Sequence, residues 1–371
     1  MTDQRGVVAG VGMTHFGKFL DRGLKSLAGE AVRDALADAG LEPADVQVAV
    51  VGNAVAGLIT GQECIRGQVV LRDVGIGGIP IFNVENACAS ASSAFHLAWL
   101  QVAAGQVDVA LALGVEKLTG PDKTKSFAAF GAAVDVELLE QVKAALRASA
   151  SGGERRHDPG GEPKSSMFMD VYAAIVRAHL DRYGTTREQM AKVAVKNHRN
   201  GALNPRAQYR DVVSLDDVLA SREISYPLTL LMCSPIGDGA AAAVVVSPSY
   251  ARAHGLQGPK IAASVVTSGN LPDSTDEMSE TRAARAAYEA SGLGPRDIDI
   301  AEVHDATAPA EILAYEDLGF CARGEGGRLV DEGATEIGGR LPVNTSGGLS
   351  AKGHPVGATG LAQICEIVWQ L

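Results

Sequence analysis

Apolar residues along the chain fall into two alternating kinds of run. Gly6 to Val11, Val46 to Gly52, Ile79 to Val84, Val107 to Val115 and Ala240 to Val246 are short and nearly continuous. Each is too short for a buried helix, so these runs predict strands covered on both faces. Between them, Leu27 to Ala39, Cys64 to Val74 and Phe95 to Ala104 repeat their apolar residues at helical spacing. Gly40 stands where a helix-ending glycine belongs, Pro43 and Asp45 open a turn, and Thr14 to Lys18 is a glycine-containing loop. The order βαβαβαβ predicts an α/β fold with a parallel sheet between helices and right-handed crossovers.

The pattern changes at about residues 120–226. Leu138 to Leu146, Met167 to Tyr183 and Arg187 to Asn200 are helical in spacing, and the polar run Gly152 to Gly161 predicts a loop. This segment reads as an insertion capping the sheet. Lys192, Lys196, His198 and Arg199 give one helix positive charge, which is expected to lie on a solvated face.

A second copy of the opening pattern follows. Ala31 to Ala54 aligned without gaps on Ala283 to Ala306 gives 10 identities in 24 positions, among them Gly40 with Gly292, Pro43 with Pro295 and Asp45 with Asp297. An internal duplication of period 252 is implied, dividing the chain into halves at 1–258 and 259–371. By the duplication, the helix Leu361 to Trp369 is the partner of the one after Cys88, with Trp99 and Trp369 near corresponding ends. The first half continues into strands Val107 to Val115 and Ala240 to Val246, and no counterpart of either precedes Leu371.

Bulk properties narrow the function classes. A net charge of -11 argues against nucleic acid as the main partner. No eighteen consecutive apolar residues and no leader pattern occur, so a soluble cytoplasmic protein that does not enter membranes is expected. Cys64, Cys88, Cys233, Cys321 and Cys365 lack CxxC spacing, which predicts reduced thiols and no metal site.

The candidate chemistry sits at the ends of predicted strands. Asn86-Ala87-Cys88-Ala89-Ser90 lies between a strand and a helix, so Cys88 is expected at a helix N-terminus. Unpaired N–H groups there would lower the thiol's pKa and receive an oxyanion. The competing reading is a small buried hydrophobe. Where the first copy ends its strand in Gly52-Asn53, the second ends in His304-Asp305, at the edge where open sheets bind ligands. His354, between Gly353 and Pro355, occupies the turn equivalent to that of Cys88 and is expected to face it across a pseudo-twofold axis.

With these residues assembled, the chain resembles the thiolase superfamily, closest to sterol-carrier-protein-linked thiolases and archaeal acetoacetyl-CoA thiolases. Asn86 to Ser90 resembles the nucleophile motif, Val303-His304-Asp305-Ala306 the HDA or HDC motif, and Gly353 to Gly360 the GHP motif. Gly319 to Gly326 and Pro342 to Gly348 also match, so the resemblance spans nearly the whole chain. It implies a thiolase-like five-layer αβαβα fold built from two duplicated βαβαβαβ halves, coenzyme A thioesters as substrates, no permanently bound cofactor, and a ping-pong acyl transfer. Cys88 would carry the acyl group. His354 would activate it, and His304 would share an oxyanion site with His354 where many thiolases have asparagine. The family also implies a homodimer, with Gly78 to Val84 as the interface, and in archaeal relatives a small OB-fold, zinc-ribbon partner protein. Two departures stand out: Ala306 replaces the second cysteine, and the last glycine-rich strand is absent before Leu371. Alternatives are a thiolase-like aldolase acting on a β-hydroxyacyl-CoA, which would not need Cys88, and a non-catalytic subunit of a complex.

Overall fold

A computed structural model describes residues 6–149, 167–271 and 277–371. The loop expected at Gly152 to Gly161 lies outside the described residues. Five strands form the central sheet: β1 (Val7–Met13), β2 (Val48–Gly52), β3 (Ile81–Val84), β4 (Val109–Glu116) and β7 (Gly239–Val246); β5 (Glu223–Ser225) and β6 (Leu228–Thr229) make a separate hairpin. The order across the sheet is β1-β7-β4-β2-β3. Strand β2 runs parallel to β3 and β4, but β7 is antiparallel to both β4 and β1. The sheet is therefore mixed, which corrects the all-parallel expectation. Hydrophobic runs reveal burial and not direction, and β7 returns only after the long helical insertion.

All eight residues of β4 and of β7 are buried, because helices cover both faces. On one face Leu111, Leu113, Val244 and Val246 pack against the helix Leu24–Ala39. On the other, Ala110, Ala112, Ala241 and Ala243 receive two helices, Ser90–Ala103 and Thr359–Gln370. Small side chains on this second face let both helices come close. A Cβ on Gly52 would stand 2.5 Å from the Ser90 carbonyl oxygen, and one on Gly360 would stand 2.1 Å from Ser92 Oγ. The two helix N-termini are thus pressed together at one end of the sheet.

The duplication persists in the local structure. Leu24–Ala39 and Ser279–Ser291 both end on a left-handed glycine, Gly40 with φ 65° and Gly292 with φ 75°. Each is followed by a Pro-x-Asp 3-10 turn in which the aspartate accepts a backbone N–H three residues back, at 2.8 Å in both copies. The strands that follow differ. Where β2 has neighbours on both sides, the second copy has among the described residues a single parallel bridge, Ala301 to Val343. Unpaired backbone cannot form a ladder, and the counterparts of β4 and β7 are not found within residues 307–371.

The inserted helices pack on the second half. Arg187–Leu203 buries Met190, Ala191 and Ala194 in a cluster with Ala308 and Ile312 of the helix Ala308–Asp317. The expected solvated face is divided. Lys192 pairs with Asp331 at 2.5 Å and Arg199 with Glu336 at 3.0 Å, both at the surface. Lys196 and His198 are buried, which corrects the expectation for those two. Lys196 Nζ is paired with the buried Glu311 carboxylate and donates to the Val343 carbonyl at 2.6 Å; a helical period cannot show that a charge faces a buried partner.

Candidate active site

Cys88 lies in a 3-10 turn, Ala87–Ala89, one step before the Ser90–Ala103 helix. The turn is tight enough to hold Ala87 at φ 44°, a left-handed conformation that costs a non-glycine residue roughly 1–3 kcal/mol. Its geometry is held by side chains: Ser90 Oγ accepts from the Asn86 N–H at 2.9 Å and donates to the Ala87 carbonyl at 2.7 Å, while Asn86 Nδ2 donates to Ser93 Oγ at 2.9 Å. The thiol is consequently fixed at the close approach of the two helices.

The His354 turn enters from the second half. Gly348–Lys352 is a short helix whose Leu349 and Ser350 N–H groups are taken by Asp305, at 2.6 Å to Oδ1 and 3.4 Å to Oδ2; Oδ2 also accepts from Ser350 Oγ and Asn197 Nδ2, each at 2.9 Å. One residue on from His304, Asp305 therefore ties the His304 segment to the segment leading into His354. Burial and the Glu311 carboxylate both push Asp305 upward. Lys352, fully buried, pairs with Glu302 at 3.3 Å.

These attachments bring the three sequence-predicted side chains together. The donor atoms of Cys88, His304 and His354 lie within 4.8 Å of one another, and among the described residues no other group of three His, Cys, Asp or Glu side chains converges in this way. The two imidazoles stand edge to face, with centroids 5.1 Å apart at 77°. His354 Nδ1 is buried and without a hydrogen-bond partner among the described residues.

Electrostatics define the resting protonation. Burial lowers His304 to about 4, and burial followed by the neighbouring His304 holds His354 well below the usual histidine range. Both rings are neutral at pH 7, each with one N–H to donate and one nitrogen to accept. Burial pushes the Cys88 thiol up to about 11, the Glu116 carboxylate adds to the rise, and the residue's own backbone N–H opposes it. A thiol acidified by a helix N-terminus is thus corrected. Desolvation outweighs the local N–H groups, so Cys88 rests as a thiol.

Two further residues belong to the surroundings and were missed. Glu116, at the carboxyl end of β4, is fully buried and pushed up to about 7 by desolvation against a set of backbone N–H donors. Its signal was present, since a charge at the end of an otherwise apolar parallel strand marks the ligand edge. Tyr172, in the helix Met167–Tyr183, has its phenol raised by burial and then by Cys88, so it stands within electrostatic reach of the thiol. Nothing in the helical spacing distinguished it from core.

Residues 6–218 match the family model described as the thiolase N-terminal domain, and residues 263–371 match the thiolase C-terminal domain-like model. The chain is 41% identical to the acetyl-CoA acetyltransferase of Methanothermobacter thermautotrophicus, covering 98% of this chain and 90% of that protein. It is 38% identical to human sterol carrier protein 2, covering all of this chain but only 66% of that protein's length. Among solved structures, one described as the Ltp2-ChsH2(DUF35) aldolase superposes with a TM-score of 0.75 at 30% identity, covering 98% of this chain and 89% of that one.

Proposed function

Since the chain belongs to the thiolase family of acyltransferases, we propose that it forms or cleaves the carbon–carbon bond of a 3-oxoacyl-CoA through an acyl-Cys88 intermediate. The observation that carries this reading is the convergence of Cys88, His304 and His354 within 4.8 Å. His354, neutral at rest, takes the Cys88 proton as the sulfur attacks an acyl-CoA carbonyl; the acyl group passes to Cys88 and coenzyme A leaves as its thiol. In the second half-reaction a second acyl-CoA loses an α proton and its carbon attacks the acyl-Cys88 carbonyl, releasing Cys88. His304 and His354 donate N–H groups to the thioester oxygen that gains charge as the α carbon is deprotonated. Position 306 carries alanine, so in place of a second cysteine His304 is assigned the α proton, which ends on the Cys88 sulfur released in the same half-reaction.

The same reading extends to assembly. Strand β3 lies at the sheet edge with Phe82 48% exposed, which supports pairing with a second copy into a homodimer through Gly78 to Val84. The aldolase similar to this chain is described together with ChsH2(DUF35), which supports a partner protein here; that it is small and of the OB-fold, zinc-ribbon kind rests on the family resemblance. Among the described residues no helix is long and apolar enough to cross a membrane, and a cytoplasmic location is proposed with no permanently bound cofactor.

A second reading is favoured by that aldolase likeness: cleavage of a β-hydroxyacyl-CoA without an acyl-enzyme. Intact mass spectrometry after mixing with acetyl-CoA, propionyl-CoA and longer acyl-CoAs separates the two. A covalent adduct that disappears in Cys88→Ala is the expected result, and the best-labelling chain indicates the substrate. Absence of an adduct with every donor, from folded protein, overturns acyl transfer in favour of the aldolase.

A further inference from the structure

The buried carboxylate at the end of β4 joins segments that come from different halves of the chain. Glu116 Oε2 accepts the backbone N–H groups of Ala54 at 3.1 Å and Gly357 at 2.9 Å, and Val55 N–H reaches both carboxylate oxygens at 3.4 Å. Oε1 accepts from Asn53 Nδ2 at 3.2 Å and Lys117 N–H at 3.3 Å. Ala54 and Val55 follow β2 in the first half, whereas Gly357 is three residues past His354 in the second. The approach has no slack: a Cβ on Gly357 would stand 2.9 Å from both the Ala54 nitrogen and Glu116 Oε2. The adjacent Lys117 turns its ammonium away to Asp238 at 2.6 Å, so the carboxylate is balanced by backbone N–H dipoles and not by a cation.

We infer that Glu116 is a positioning residue, a peg that holds the His354 turn at its working distance from the Cys88 turn by binding both halves of the chain at once. Its charge opposes thiolate formation, since a negative group near Cys88 raises the thiol. That cost makes sense if its reach is what matters, with the charge serving to bind several N–H donors on two oxygens. The inference rests on the acyl-transfer reading for its rate measurement and is independent of it for its thiol measurement.

Two substitutions separate reach from charge. Glu116→Asp keeps the charge and withdraws it from Gly357, so the limiting rate of Cys88 acylation by acetyl-CoA should fall about 10- to 100-fold with little change in half-saturation. Glu116→Gln keeps the reach and removes the charge, so the pH midpoint of Cys88 alkylation by iodoacetamide should move down while acylation falls less than in Glu116→Asp. A folded Glu116→Asp that acylates at the unsubstituted rate overturns the inference. If that variant does not fold, Gly357→Ala strains the same contact and should slow acylation without moving the alkylation midpoint; an unchanged rate there is equally decisive against it. If the unsubstituted protein takes no acyl group from any donor, acyl transfer fails, and the alkylation of Cys88 by iodoacetamide then reads the peg: a rate in Glu116→Asp equal to that of the unsubstituted protein overturns the inference as well.

Discussion

The two copies of the duplicated unit begin alike and end differently. Leu24–Ala39 and Ser279–Ser291 share the left-handed glycine cap and the Pro-x-Asp turn, because each of those features is made by residues within a few positions of one another. Beyond the turn, β2 is held by ladders to β3 and β4, while its counterpart has the one bridge Ala301 to Val343 and is otherwise held by side chains. Asn344 accepts the Val303 N–H at 2.9 Å and donates to Glu311 at 2.7 Å, and Glu311 in turn holds Lys196 and Asn197. One half therefore supplies a rigid sheet, and the other supplies the histidines on a buried polar network. The strand ends show the division most sharply. Gly52 leaves room for the Ser90 carbonyl under the Cys88 helix, and the aligned position in the second copy is His304.

If the second half depends on its network, the largest effect belongs there. Lys196→Met strands the buried Glu311 charge and should cost about 3–5 kcal/mol, whereas Lys192→Met on the same helix removes a surface pair and should cost under about 1 kcal/mol. Urea unfolding of the two variants compares them, and equal losses would break the distinction between ladder and network.

Next in size is Gly52→Ala, whose Cβ would meet the Ser90 carbonyl oxygen at 2.5 Å. Overpacking of this kind should cost about 1–3 kcal/mol and slow acylation by displacing the Cys88 turn. A variant as stable and as fast as the original would refute the role given to that close approach.

The histidines predict a pH dependence of intermediate size. His304 is held near 4 when folded and takes up protons at about 6.5 when unfolded, so the unfolded chain binds more protons between those values. The stability that His304 contributes should therefore be fully present above about 6.5 and fall as pH drops toward 4, against the opposite contribution of Glu116, which is held near 7 when folded. Acylation should fall on the acid side, first as Glu116 takes up its proton near 7 and then as the imidazoles protonate. Thermal midpoints and adduct formation across that window check both, and a His304→Asn variant should flatten part of the stability slope.

The smallest expected effect tests the likeness of the copies. Gly40→Ala and Gly292→Ala introduce a Cβ that meets nothing within 4 Å, so each pays only for its positive φ. Each should lose about 1–2 kcal/mol, equally within error. A clear inequality would show that the shared caps are not energetically equivalent.

What could be read from the residues was what short-range physics makes: helices from apolar spacing, caps from glycine, the duplication from repeated identities, and Cys88, His304 and His354 from turns of recognisable composition. Lys196 shows the limit from one side. Its helical position was clear, but that it meets Glu311, 115 residues away, is a tertiary fact. Glu116 shows it from the other, since its several N–H donors are gathered from positions as distant as Gly357. The direction of β7, the protonation of the Cys88 thiol and the pairing of the second-copy strand were decided in the same way. Each depends on which groups are desolvated together and which backbone groups find partners, and those conditions exist only once the two halves have closed on each other.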